Sequence, residues 1–573
     1  MYFKQTLFAG IMPGITPRQL PDNYGQLCEN ADLENGNIVA LRYYSSAHNL
    51  TYSTNNSIYP YVNNGTTYWF SWSQSGVKVA RGPIPGDTLN RLYYSGNTYP
   101  RITLNTVAIA NTPGYPSSNY RLGVPAPANA PTATITGDVD DSLTVHDVSY
   151  VFTLVTADGR EGPPSDPSTI VEMRNGQTAT VSISASVFNS GHNLGLGSLK
   201  RIYRSNTGSV NTQFQFVGEV PIAQQSYTDT RDAANLGEVL PSGTWVGPPD
   251  DDGTLYPDGQ LQGLIPLAQG VMAGFTGKRF CLSEPFLPHA WPVQYRITLQ
   301  DDIVAIASTG NGVVALTNGQ PFFITGTDPS SMTSIRVDLS QACINEHSVV
   351  DMGDYVLYAS PDGLCAVQSA TGSVVTKGLI SKDQWTNNFD PTTLKAFKYK
   401  GTYVAFSSSG GWVYDPNASS GRALSTITVG AVKCGYEDPS DGNLYYLVGS
   451  QIRKYRGGFS PYQAKFKSKK FVTPAPTSMS WIGLKGINYP VVVKVWADGV
   501  LIAHYSLSGI SSGGTPSTFT QVTTVPSGIP NATLREPIAR LPAAIGSEWE
   551  VQVEGTEVVE FCLAQSMDEI RQT

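Results

Sequence analysis

Apolar and polar residues alternate in runs of four to eight positions along most of this chain, and each run meets Gly, Pro, Asn or Asp before the next begins. A period of two puts alternate side chains on opposite faces of an extended strand, so the pattern predicts short β-strands joined by tight turns. Helical spacing is confined to residues 231–236 and 567–570. The expected fold class is all-β.

A loose repeat runs through the central half. First turns fall at Gly277, Gly312, Gly353, Gly401 and Gly442, and second turns follow at Gly319, Gly363, Gly410 and Gly449. Between them lie legible strands such as Val313-Val314-Ala315-Leu316, Tyr355-Val356-Leu357-Tyr358 and Tyr403-Val404-Ala405-Phe406. A period of about 40 to 50 residues with several strands per unit is the mark of β-propeller blades. Gly65 and Gly76 flank Thr67-Tyr68-Trp69-Phe70-Ser71-Trp72 and repeat the motif near the N-terminus. That hairpin is expected to supply the N-terminal strands that close the propeller-like body.

Prolines interrupt the repeat. Val124-Pro125-Ala126-Pro127-Ala128-Asn129-Ala130-Pro131 has the composition of an extended linker. Beyond it, Tyr150-Val151-Phe152-Thr153-Leu154-Val155-Thr156 leads to Gly162-Pro163-Pro164-Ser165-Asp166-Pro167, and this block resembles a fibronectin type III domain. Pro248 and Pro249 mark its far side. The expected organisation is N-terminal strands and first blades in residues 1–123, an inserted sandwich in 124–247, remaining blades in 248–459 and a C-terminal β-sandwich in 460–573.

Composition narrows the function classes. The 573 residues are 40% hydrophobic but only 14% charged, with 56 Gly, 39 Pro and 30 Tyr, which opposes the charge-rich, aromatic-poor signature of disorder. A formal net charge of −8 disfavours a basic face that grips phosphate backbones, and with it a histone-like, polymerase-like or sequence-reading DNA binder. The six cysteines, at 28, 281, 343, 365, 434 and 562, lack close ligand spacing and are expected to be small buried hydrophobes in a reducing compartment. The polar N-terminus, with Pro13 and Gly14 early, argues against a signal peptide, and no run of about 20 apolar residues spans a bilayer. Synthesis in a cytoplasm is expected.

Candidate chemistry is sparse. Ser283, Glu284 and His289 share one short phrase and are the nearest approach to a nucleophile with an acid–base pair, but three prolines and two aromatics around one His favour a rigid packed turn. Asp138, Asp140 and Asp141, and likewise Asp250, Asp251 and Asp252, offer oxygens to a calcium ion; neither run matches an EF-hand loop, and solvated acidic turns are expected. Neither a catalytic residue nor a metal or cofactor site is assigned. Lys465, Lys467 and Lys469 alternate along the one basic run and share a face, as phosphate contacts or as lysines guarding an edge strand.

The opening Phe8-Ala9-Gly10-Ile11-Met12-Pro13-Gly14-Ile15-Thr16-Pro17-Arg18 and the stretch from Cys28 through Asn35-Gly36-Asn37 to Arg42 resemble the start of tail nozzle (tail tubular protein B-like) proteins of short-tailed bacteriophages. The phrases 282–292 and 360–364, and the ending from Arg540 to Ser566, are similar to recurring phrases of phage virion proteins. The resemblance implies a non-enzymatic virion protein of the tail, made in the host bacterial cytoplasm. It implies a homo-oligomeric ring, a hexamer, beneath the portal ring and head–tail adaptor, in company with tail fibres or spikes. Genomic DNA would pass through its channel by non-specific contact, and an acidic wall would let the duplex slide. The inserted sandwich departs from the simplest nozzle pattern. Two alternatives are a receptor- or carbohydrate-binding tail protein, suited by Tyr and Trp, and, behind it, a polysaccharide-degrading tail enzyme.

Overall fold

The computed structural model describes residues 1–111, 114–184, 190–207, 211–488, 491–507 and 538–572. It is an all-β, propeller-like protein whose repeating element is a four-stranded antiparallel meander. The chain divides into two compact units, one of residues 1–58, 319–321 and 337–573, the other of residues 59–318 and 322–336.

The second unit holds three meanders. Their strands are Lys78–Arg81, Leu92–Ser95, Arg101–Thr103 and Tyr120–Arg121; Gln262–Pro266, Met272–Thr276, Arg279–Leu282 and Ile297–Thr298; and Ile303–Thr309, Gly312–Thr317, Phe322–Thr325 and Thr333–Arg336. Gly312 is required by crowding: a Cβ there would lie 2.4 Å from the Ile324 carbonyl oxygen. Between the first and second meanders the chain builds a sandwich. One layer pairs Thr132–Thr136, Thr178–Ser182 and Ser226–Asp229; the other pairs Tyr150–Val155, Leu199–Thr207 and Thr212–Pro221, and a short ladder joins His146–Val148 to Val171–Met173. Its core is its own, built on Tyr150, Phe152, Val181, Ile202 and Val217. The flanking meanders nonetheless share a core: Ala80, Tyr93 and Ile102 pack with Leu264, Met272 and Trp291 across the interruption.

The first unit holds three more meanders. Two are continuous in sequence, from Val350–Asp351 to Thr371–Val374 and from Lys395–Tyr399 to Ala423–Ile427. The hairpin of the second turns at Lys400 and Gly401, with φ of 48° and 80°, the two left-handed residues that a tight type I′ turn demands. The third joins Cys434–Asp438, Asn443–Val448 and Gln451–Lys454 to Ser45–Asn49 from the other end of the chain. The N-terminal strand that completes this meander is therefore Ser45–Asn49. The Gly65/Gly76 hairpin, Ser57–Asn63 with Thr66–Trp72, forms a two-stranded sheet instead, because its apolar residues Tyr61, Phe70 and Trp72 stack among themselves and with Tyr94.

The first forty residues join the C-terminal strands and bridge them to Ala423–Ile427, the last strand of the meander at 395–427. Tyr2–Gln5 and Ile38–Ala40 pair with Glu557–Ala564, and Tyr24–Glu29 pairs with Ala464–Ser468. Phe8, Cys28, Phe466, Trp549 and Phe561 lie in one core. Of the two helical stretches, 233–235 is a single 3-10 turn and Met567–Gln572 is a short helix. A further helical turn starts at Ser381, whose side chain and that of Gln384 form a reciprocal capping box.

Candidate functional site

Residues 283–289 fold into a closed turn. Ser283 Oγ accepts from the Met272 amide at 2.8 Å and donates to the Glu284 carbonyl at 3.0 Å. His289 is buried, donates from Nε2 to the Glu161 carbonyl at 3.1 Å and meets the Trp245 ring edge-on. Burial, reinforced by the Arg160 guanidinium, lowers its pKa to about 3, so the ring is neutral at ordinary pH. Glu284 accepts from Tyr295 at 3.3 Å, and burial raises its pKa. Each group is thus spent on a different partner. The three neighbours in sequence are not a relay in space.

The acidic runs are turns held by their own backbone and by arginine. Asp140 Oδ1 takes the Ser142 amide at 2.9 Å, and Asp141 pairs with Arg174 at 3.3 Å. Asp250 caps the Asp252 amide, and Asp252 caps those of Thr254 and Leu255. Asp251 meets the Arg121 guanidinium through both oxygens, at 2.5 and 3.1 Å. Among the described residues no group of three or more His, Cys, Asp or Glu is arranged to hold a metal ion. Five cysteines are buried and Cys434 is half-buried, all as free thiols. Burial pushes Cys281, Cys343 and Cys434 up to about 12, far from a reactive thiolate.

The basic run is placed unlike either expectation for it. Ala464–Ser468 is an interior strand, bonded to Tyr24–Glu29 on one side and Gly546–Gly555 on the other, so its lysines guard no edge. Each lysine faces a carboxylate. Lys465 pairs with Glu29 at 3.1 Å, Lys467 with Glu550 at 2.6 Å, Lys469 with Asp22 at 2.9 Å and Lys470 with Glu548 at 3.0 Å. Lys467 also lies 4.4 Å above the Trp496 ring, and Lys494 pairs with Glu554 at 2.5 Å. The strand ends at Ser468, which takes Lys469 out of the alternation. The pairs of Lys465, Lys467 and Lys494 are cross-strand pairs of opposite charge, which stabilise a sheet surface by tenths of a kcal/mol each, on the order of 0.2–1.

An open groove of about 800 Å³ lies where the entry and exit legs of the sandwich meet their own unit. Val124, Pro125 and Pro127 form one wall; Asp250, Asp251, Tyr256 and Arg296 form another. The Arg121 guanidinium stacks 3.7 Å over Tyr99 while holding Asp251. Beneath the groove a closed polar network ties the sandwich down. Arg160 chelates Asp158 at 2.7 and 3.1 Å and donates to the carbonyls of Arg121 and Leu122 at 3.1 and 2.6 Å. Asn193 and Arg91 donate to Asp158 as well, and His192 donates to the Gly123 carbonyl at 2.9 Å. Burial alone would raise the Asp158 carboxyl; Arg160, Asn193 and Thr156 outweigh it and bring it down to about 2. Sequence reasoning gave no sign of this network, whose bonded partners lie up to 69 residues apart.

No protein-family model matches the chain, and no curated protein matches it. Solved structures similar in part include BBS1N in complex with ARL6DN (10% identity, 72% of this chain and 96% of that one, TM-score 0.30). Others are the Neurospora crassa Pan2 WD40 domain (8%, 51% and 87%, TM-score 0.25) and a Xanthomonas campestris gluconolactonase (11%, 34% and 71%, TM-score 0.23). Among the described residues no helix is long and apolar enough to cross a membrane.

Proposed function

We propose that the chain is a non-enzymatic structural subunit of a short-tailed phage tail. In this reading it is a nozzle protein that assembles as a hexameric ring below the portal and adaptor and carries tail fibres or spikes. The ring retains the genome until ejection and then conducts it. The observation that carries the reading is the engagement of Lys465, Lys467, Lys469 and Lys470 by carboxylates in a chain of net charge −8. Lysines already neutralised release few counterions from DNA, so a wall built this way lets a duplex slide. The turn at residues 283–289, with Ser283, Glu284 and His289 each bound elsewhere, supports a structural role for the chemistry-bearing phrase. A second reading, receptor or carbohydrate binding, is favoured by the groove of about 800 Å³ with Tyr256, Arg296 and three aspartates in its walls.

Electron microscopy of the purified protein, paired with duplex binding at physiological salt, tests the proposal. A six-fold ring with a pore and weak, salt-sensitive DNA binding is the expected outcome. A trimeric spike, or submicromolar binding that survives high salt, would overturn it.

A further inference from the structure

The sandwich carries a second concavity on a face of its own. A pocket of about 230 Å³ opens among the His146–Val148 and Val171–Met173 ladder, the Leu199–Thr207 strand and the segment after Asp229. That volume equals the liquid share of about seven water molecules, room for one small polar group. Its lining includes three guanidiniums, Arg174, Arg204 and Arg231, together with His146, Asn206 and a single carboxylate, Asp147.

Arg204 is the informative member. Its side chain is 3% exposed and pairs at 2.8 Å with Asp229, which is fully buried. Every hydrogen bond it donates, to Asp229, to the Arg231 carbonyl at 2.9 Å and to the Met173 sulfur at 3.6 Å, leaves from Nη1. Nε is buried with no acceptor. Nε, one half of the side-on fork that matches two oxygens of a carboxylate or phosphate, therefore lacks its partner. Arg174 repeats the deficit: it holds the solvent-exposed Asp141 through Nη2, while its own Nε is buried without an acceptor. A buried donor left unmet costs about 1–3 kcal/mol, and more when charged. Two such donors beside one pocket, with Arg231 stacked on Phe216 at 5.9 Å and in no ion pair among the described residues, amount to an anion receptor with its acceptor missing.

We infer that this pocket binds a compact oxyanion, a carboxylate or phosphate borne on a group no larger than one sugar ring, with Arg174, Arg204 and Arg231 as the cations of its lining. The inference stands apart from the nozzle reading, since it concerns only the inserted sandwich.

Isothermal titration of the full-length protein with inorganic phosphate, D-glucuronate and, as neutral control, D-glucose provides the test. Arg204 is packed against a buried carboxylate and its replacement can unfold the sandwich, so the working variants are Arg231→Ala and Arg174→Gln, checked for an unchanged melting curve. Saturable binding of phosphate or glucuronate, weakened about tenfold in either variant as expected for the loss of one charge-assisted contact, supports the site; which probe binds identifies the source of the oxyanion. Glucose binding as well as glucuronate, equal affinity in wild type and both variants, or no heat from either anion at tens of millimolar would overturn it.

Discussion

Two charge systems in this molecule use the same chemical pairs to different ends. The lysine ladder of residues 465–470 meets its carboxylates on a sheet face, with Asp22 86% and Lys465 36% exposed. The network under the sandwich closes its pairs off: Arg160 and Asp158 are 6% and 1% exposed. At the ladder's outer pairs, Lys465–Glu29 and Lys469–Asp22, water and salt already reach the partners, so pairing adds little and its loss is mild, whereas Glu550 opposite Lys467 is only 5% exposed. In the closed network the partners are solvated by protein groups alone, Asp158 by Arg160 and Asn193, and Arg160 by Asp158 and the Arg121 and Leu122 carbonyls. Removing one strands the other, and the cost is the desolvation that pairing had offset. The ladder tunes a surface, while the network fixes the orientation of a domain.

The sharpest way to break that contrast is Asp158→Ala, which strips Arg160 Nε and Nη2 and the Asn193 amide of their acceptor and leaves a buried guanidinium without its countercharge. A loss of about 3–5 kcal/mol is expected, read as a lowered denaturation midpoint. A loss under 1 kcal/mol would put the network in the same class as the ladder. Acid provides the next largest effect. His289 sits in the same buried region and its folded pKa of about 3 lies below the unfolded value near 6.5. The unfolded chain therefore takes up a proton first. The stability tied to neutral His289 is full above pH 6.5 and declines as pH falls toward 3, by a margin of about 3 kcal/mol at pH 4. In His289→Gln, whose amide can still donate to the Glu161 carbonyl, that share of the decline should vanish, so the gap between the two proteins narrows on acidification. A gap of constant size from pH 7 to 4 would show that His289 is not held neutral. The smallest effect is expected at the ladder: Lys465→Ala or Lys469→Ala should cost under about 1 kcal/mol, and half-molar salt should erase the difference.

The two systems also differ in how far the sequence reveals them. Period-two alternation puts Lys465 and Lys467 on one face correctly, since that is a local property of an extended chain. It carries no information about neighbours, and the partners Glu29 and Glu550 come from strands hundreds of residues away in one case and about eighty in the other. An edge and an interior strand read alike when one face is wet. The turn glycines were legible for the opposite reason: Lys400 and Gly401 declare a left-handed turn within two residues. The Ser381–Gln384 capping box was also visible as a Ser followed three residues later by Gln, but no apolar helical run followed it to raise attention. His289 shows the limit from the other side. Its crowded prolines indicate a rigid turn, yet the carbonyl that fixes its tautomer belongs to Glu161, in the inserted sandwich.

The pairing of Tyr2–Gln5 with Glu557–Ala564 bears on how the chain is made. A strand made more than five hundred residues before its partner must wait, unpaired, until that partner follows, and contacts of such separation close slowly. The sandwich has no such wait, because every strand of its two layers comes from residues 132–229. During synthesis, then, the inserted domain can be native while the sheet built from both ends of the chain is still open. In that interval the waiting edges are exposed to neighbouring nascent copies, which makes this sheet the place where misassembly during expression begins.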